Sequence, residues 1–237
     1  MIVSVGFLPS APLVVDEVAA GAAPELDGLR AECDRVLTDA LAGSIDVVAL
    51  VAPGGRTRWL PEDATGSLRG FGVDVRVGLG APGGPATSTE DSPDVLEYGQ
   101  VVGAWLLDRQ AYRGVRRALT VAPGDGETAA LLLSGLDATC AVVVMGDASA
   151  RLSVKAPGYF DAGAQEFDAA VLRSLAAGDA AALAKLDRDA AVSQLASGSD
   201  GWHAVALALI SQGHVEWDAR CHYEAPYGVG YLAAVWT

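Results

Sequence analysis

Histidine is scarce in this chain: His203, His214 and His222 are the only three in 237 residues. None belongs to a His-x-His, His-x-x-x-His or His-Glu-x-x-His unit, so the spacings that build common metal centres are missing. Cysteine is as rare. Cys33, Cys140 and Cys221 are far apart, odd in number and outside any Cys-x-x-Cys pair, which speaks against a disulfide framework and a thiolate zinc site and for a reducing cytoplasm. Basic charge is also short. Sixteen Lys and Arg against 30 Asp and Glu leave a net charge of −14, so most of the surface repels nucleic-acid phosphates and anionic membranes. Neither is expected as a partner. No unbroken apolar run reaches the roughly 18 residues of a membrane span. The apolar first 15 residues lack a basic start and are interrupted by Pro9 and Pro12, so they read as a strand and not as a signal peptide.

What is abundant is apolar: 51% of residues are hydrophobic, with a mean hydropathy of +0.29. That suits a compact globule, and a chain of this length buries roughly 70% of its unfolded surface without needing a disulfide or metal. Residues 1–237 are read as one domain. The 44 alanines and the 14 arginines against two lysines indicate a GC-rich genome, which concerns codons and not function.

Short β-branched runs alternate with longer Ala/Leu-rich segments, the pattern of an α/β fold with a central, mostly parallel or mixed sheet covered by helices on both faces. Central strands are expected at Ile2–Leu8, Asp46–Val51, Val73–Leu79, Arg117–Val121 and Thr139–Met145. Helices are expected near Pro24–Leu41, Pro93–Gln110, Glu127–Leu136 (capped by Asp125) and Ala164–Ala177, then as shorter pieces carrying Leu183, Leu186, Leu195, Trp202, Val205 and Leu209. Two closing strands, Val215–Glu224 and Gly230–Trp236, flank a turn at Ala-Pro-Tyr-Gly.

The first closing strand alternates strictly, with Val215, Trp217, Ala219, Cys221 and Tyr223 on one face and Glu216, Asp218, Arg220, His222 and Glu224 on the other. Such a strand belongs at a sheet edge or beside a cleft, and periodicity favours the edge. His222 and Glu224, at i and i+2, share a face and form the best candidate pair of metal ligands. His203 and His214 read as surface or helix-end residues.

Long Gly- and Pro-rich loops follow expected strands at Ala52–Gly66, Gly80–Ser92 and Gly146–Gly163. In open α/β sheets ligands bind beyond the carboxyl ends of strands, so the site is sought there. Familiar signatures are missing. Gly146-Asp-Ala-Ser149-Ala lacks Gly-x-Ser-x-Gly spacing, and neither Pro53-Gly-Gly55 nor Pro123-Gly-Asp-Gly126 matches a phosphate-binding loop. Cys33 lies within an expected helix and Cys140 at the start of an apolar strand, where a thiol acts as a small hydrophobe.

Several segments together resemble the class III extradiol dioxygenase (LigB-type) superfamily, which includes the Memo-like proteins. They are Phe7-Leu-Pro-Ser-Ala-Pro-Leu13, Val48–Gly55, Glu97–Leu107, Gly146–Leu152 with Ala156–Asp161 and Glu166–Asp168, and Tyr223-Glu-Ala-Pro-Tyr-Gly-Val-Gly-Tyr231. The resemblance implies a LigB-like fold over most of the chain and, in the family, a non-haem Fe(II) held by two histidines and a glutamate. Here the first histidine position is Ser10, the second Gly54, the helix-start histidine Tyr98 and the histidine after Gly-Asp-x-Ser Ala150, while Glu224 is kept. The expectation is therefore a retained fold without ring cleavage and without a cofactor. Asp147 stands among these vestigial positions, and Ser149, Arg151, Tyr159, His222 and Tyr227 are the further residues expected to bind a small molecule or peptide. Two alternatives remain. One is an oxidoreductase or hydrolase with Fe(II) or Zn in a site rebuilt on His222 and Glu224 with Asp147, and the other is an interaction subunit of a homo-oligomer.

Overall fold

Nine strands form among the residues described by the computed structural model, 1–80, 95–213 and 215–237. They are β1 (Ile2–Leu8), β2 (Val47–Pro53), β3 (Arg58–Trp59), β4 (Thr65–Ser67), β5 (Arg76–Gly78), β6 (Val115–Val121), β7 (Cys140–Met145), β8 (Ala219–Glu224) and β9 (Tyr231–Trp236). The α-helices are α1 (Asp16–Ala19), α2 (Asp27–Ala40), α3 (Tyr98–Arg109), α4 (Gly126–Ser134), α5 (Ala164–Ala176), α6 (Ala180–Ala184), α7 (Arg188–Ser193) and α8 (Ser199–Gln212).

Seven strands make one sheet in the order β3-β6-β2-β7-β1-β9-β8. The central four, β6, β2, β7 and β1, run parallel, β9 pairs antiparallel with β1 and with β8, and β3 pairs antiparallel with β6. The layering follows from crossover handedness. The steps from β1 to β2 and from β2 to β6 cross the sheet in one direction, so right-handed connections put α2 and α3 on the same face. The return from β6 to β7 puts α4 on the opposite face, where α5 and α8 also pack. Two cores result: Leu29, Leu37, Leu106 and Leu107 meet Val48, Leu50 and Met145 on one face, and Trp202, Val205 and Val171 meet Phe7, Val51 and Trp236 on the other. Alternate residues of β2 feed the two cores, which is why its sequence is continuously apolar.

Glycines set the spacing where helices meet strand ends. A Cβ on Gly103 would come within 2.9 Å of Leu50 and 3.0 Å of Met145, and one on Gly99 within 3.3 Å of Ser10 and Met145. These two glycines, one helical turn apart, let the first half of α3 lie against the ends of β1, β2 and β7. Across the sheet, a Cβ on Gly146 would fall 2.2 Å from the Gly198 Cα, so α8 docks its start directly on the end of β7.

Four expectations change. Val73–Leu79 is not a central strand: only Arg76–Gly78 is extended, paired with β4 in a separate two-stranded ribbon. Val215–Glu224 shortens to Ala219–Glu224, and Val115–Val121 is longer than expected at its start. Asp125 is the N-cap residue of α4, but its carboxylate accepts from the Thr128 hydroxyl and caps no backbone N–H. Residues 81–92 of the expected second loop, Pro93 and His214 lie outside the described residues.

Candidate functional site

The parallel strands end together, and their first residues beyond the sheet meet. Ser10, two residues after β1, donates its hydroxyl to Asp147 Oδ2 at 2.7 Å and its backbone N–H to Oδ1 at 3.1 Å. Asp147, two residues after β7, donates its own N–H to Ser197 Oγ at 2.8 Å, and Ser197 Oγ lies 3.4 Å from Ser10 Oγ. The Asp147 residue is half-buried: protein surrounds it closely while solvent still touches it. Burial pushes its carboxyl up to about 6 against the opposing pull of the bonds from Ser10, Ala11 and Ser197. A carboxyl near neutrality with a hydroxyl donor at 2.7 Å can hold a proton at one pH and accept one at a slightly higher pH.

Tyr231 borders the same group. It opens β9 and is buried, and burial first, then the nearby Asp147 carboxylate and Tyr227 phenol, raise its phenol above the ordinary range. Tyr227 donates to Glu25 at 2.9 Å. The structure thus gathers Ser10, Asp147 and Ser197 at the carboxyl end of the sheet, with the buried Tyr231 behind them.

The other positions fall into distinct places. Gly54 follows β2, and a Cβ there would meet Thr120 at 2.9 Å and Glu97 Oε1 at 3.0 Å, so the position is closed by packing. Glu97 caps α3 in a reciprocal pair with Gln100. Tyr98, half exposed, packs edge-to-face on Phe71 with ring centroids 4.8 Å apart, its hydroxyl lying over Gly70.

Ser149 corrects an expectation. It is fully buried and cannot line an open pocket: its N–H donates to Asp168 at 2.8 Å and its hydroxyl to Gln194 at 3.1 Å. Asp168 also accepts from the Tyr223 hydroxyl at 2.7 Å, and burial raises its carboxyl despite both bonds. Arg151 is committed to the Gly158 and Ser193 carbonyls. Ala150 is held by backbone bonds to Gln194 and Gly158. Tyr159 stands 75% exposed on left-handed backbone at φ 58°. This network is internally satisfied, so it positions the loop and leaves little to offer a ligand.

The two most distinctive sequence segments are nonetheless brought together. The loop after β7 and the β8–β9 turn are joined by Ala148 N–H to Gly230, Gly230 N–H to Ser149 and Leu152 N–H to Gly228. A Cβ on Gly230 would strike Asp168 at 2.3 Å, and Gly228 has φ 75° with Ser153 Oγ 2.4 Å from its would-be Cβ. The two glycines in Tyr-Gly-Val-Gly-Tyr are demanded by this close approach.

His222 and Glu224 lie on β8, whose polar face packs toward α2. The imidazole Nδ1 is 3.9 Å from Glu32, and Nε2 is 3.8 Å from Glu224. The carboxylates therefore sit at opposite nitrogens of one ring, so a single ion cannot take both and the imidazole. Among the described residues no group of three His, Cys, Asp or Glu side chains is placed to hold a metal, and the donor set does not fit the Fe(II) or Zn that the resemblance raises. Glu224 stands opposite Tyr231 in the β8–β9 pairing. The thiols are equally unpromising: burial pushes Cys140 and Cys221 up to about 11.

A separate cleft of about 490 Å³ opens at the amino end of β1, away from Asp147, between Ser4, Asp39 and Arg220. Its polar groups are already paired, Arg220 with Asp39 and Ser4 with the Ala40 carbonyl. Sequence reasoning missed Ser197 and singled out Tyr231 only as part of a motif. The small polar run Ala-Ser-Gly-Ser before α8 was the one available signal for Ser197. Among the described residues no helix is long and apolar enough to cross a membrane. Neither a scan of protein-family models nor a search of curated proteins returns a match to this chain.

Proposed function

We propose that this chain is a LigB-like domain that binds a small polar molecule at the carboxyl end of its sheet, without the metal chemistry of extradiol dioxygenases. The observation that carries the reading is Asp147, raised to about 6 and held by Ser10 where parallel strands end. Open α/β sheets bind ligands at that end, and the hydroxyls of Ser10 and Ser197 border the same carboxyl. Asp147 holds or passes a proton to the bound molecule, while the hydroxyls orient it. A small ligand suits a cluster of three side chains better than a peptide does. Three unpaired cysteines support a cytoplasmic setting.

The test is titration of the purified protein with catechol and its carboxylated derivatives, read by thermal shift and by chemical-shift changes. The expected result is saturable binding that weakens at least tenfold in Asp147→Asn and is unaffected by His222→Ala. Ligand binding indifferent to Asp147→Asn would overturn the reading. So would aerobic turnover of catechol that depends on stoichiometric iron or zinc and disappears in His222→Ala, the outcome that the rebuilt-centre alternative requires.

A further inference from the structure

The edge strand β8 carries a hydrogen-bonding ladder with no partner on its outer side among the described residues. Asp218 and Thr237 exchange both backbone bonds, N–H to carbonyl at 3.0 and 3.1 Å. In an antiparallel pair such exchange alternates with residues that turn outward. With the register Ala219↔Trp236 to Glu224↔Tyr231, the residues bonded to β9 are Arg220, His222 and Glu224. Ala219, Cys221 and Tyr223 therefore turn their N–H and carbonyl groups away from the sheet. No described residue bonds them there, and β8 is the last strand in the order.

An open edge six residues long accepts another strand unless charge forbids it. The side chains of this edge are self-complementary. When two copies of β8 run antiparallel about a two-fold axis through His222, Arg220 of each copy falls opposite Glu224 of the other, twice per pair. Cys221 and Tyr223 then exchange the outward backbone bonds. The neighbouring register, centred on Cys221, would set Asp218 against Glu224 and is disfavoured by like charge. Arg220 pairs with Asp39 within its own chain, and its side chain is 58% exposed, so its guanidinium can bridge Asp39 and the Glu224 of the second copy.

We propose that β8 is a dimerisation edge, two copies of this chain pairing antiparallel through it in the His222-centred register to make a continuous fourteen-stranded sheet. The contact is isologous and closes on itself, so it yields a dimer and not a fibre. It extends β8, with α2 and α2 of the second copy on one face and α5 with its counterpart on the other. The dimer is independent of ligand binding at Asp147, and its test leaves that reading untouched.

Light scattering on the intact chain at high micromolar concentration should give twice the 24.2 kDa monomer mass. Arg220→Glu and Glu224→Arg should each shift the equilibrium to monomer, with a dissociation constant raised about tenfold or more, and the double exchange should restore the dimer. Residues opposite each other in a non-hydrogen-bonded antiparallel pair have Cα atoms about 4.5 Å apart, within disulfide range. His222→Cys in a Cys221→Ser background should accordingly cross-link to a covalent dimer under mild oxidation. That variant keeps both charges and decides the register if a reversal variant fails to fold. A monomer at the same concentration, a dimer indifferent to both reversals, or a folded His222→Cys variant that stays uncross-linked would each overturn the proposal.

Discussion

Replacing Asp147 by asparagine should make the protein more stable at neutral pH and leave it nearly unchanged in acid. The carboxyl is raised from 3.8 to about 6 in the fold, chiefly by burial. A group with a raised folded pKa contributes most below its unfolded value, and that contribution is lost as pH climbs through the folded value. Between pH 3.8 and 6 the fold therefore loses up to about 3 kcal/mol from this one side chain. Solvent contact at this half-buried residue reduces the loss to about 1–3 kcal/mol. Asparagine keeps the acceptor for the Ser10 N–H, and the Ser10 hydroxyl can turn to accept from the new amide, so the neutral forms are nearly equivalent. Urea unfolding of both proteins at pH 4 and pH 7.5 isolates the effect, because every other titrating group cancels in the double difference. The expected double difference is about 1–3 kcal/mol in favour of Asp147→Asn at pH 7.5. Parallel pH profiles would refute the reasoning, since the carboxyl would then titrate alike in the folded and unfolded chains. A stabilising substitution at this position is what a strained functional group predicts.

Further consequences follow from packing. Tyr223→Phe removes one of the two donors to the buried Asp168 and should cost about 1–3 kcal/mol at pH 7. The cost should shrink in acid, where the raised Asp168 carboxyl is neutral; equal losses at both pH values in urea melts would contradict this. Gly146→Ala drives a methyl into the Gly198 backbone at 2.2 Å and should cost about 3 kcal/mol or more, or prevent folding. Gly28→Ala, in α2 with open space around it, should instead stabilise by roughly 0.5–1 kcal/mol in the same assay. Trp236→Phe loses the indole bond to the Leu175 carbonyl at 2.7 Å and leaves a void in a fully buried site, for about 2–4 kcal/mol by thermal or urea unfolding.

Much of the architecture is legible because apolar period and burial are linked. Ile2–Leu8, Thr139–Met145 and the helices near Pro24–Leu41 and Ala164–Ala177 are recoverable from pattern alone, since the strands are short, near-continuous apolar runs and the helices carry apolar residues at helical spacing. Val73–Leu79 misleads because its alternation is just as good, while only the fold decides that Arg76–Gly78 pairs with Thr65–Ser67 outside the main sheet. The strict alternation of β8 identified an edge strand correctly. The candidate site was half legible. Ser10, Asp147 and Glu224 stand out by motif, but Ser149 looks equally polar and equally well placed, and nothing local shows that it is sealed beneath Gln194 and Asp168.

Composition and pattern by themselves determined an acidic α/β chain with a covered, mostly parallel centre, one amphipathic edge strand and too few histidines for the usual nitrogen-rich metal spacings. Those properties are local or additive, so they survive being read residue by residue. Tertiary structure alone decided which polar groups meet. Ser10, Asp147 and Ser197 are separated by 137 and 50 residues, and they touch only because β1 and β7 lie side by side and α8 begins against Gly146. Asp147 owes its raised carboxyl to that crowding, and His222 faces Glu32 only because α2 covers β8. Burial and electrostatic environment depend on neighbours distant in the chain, and no periodicity in the sequence encodes them.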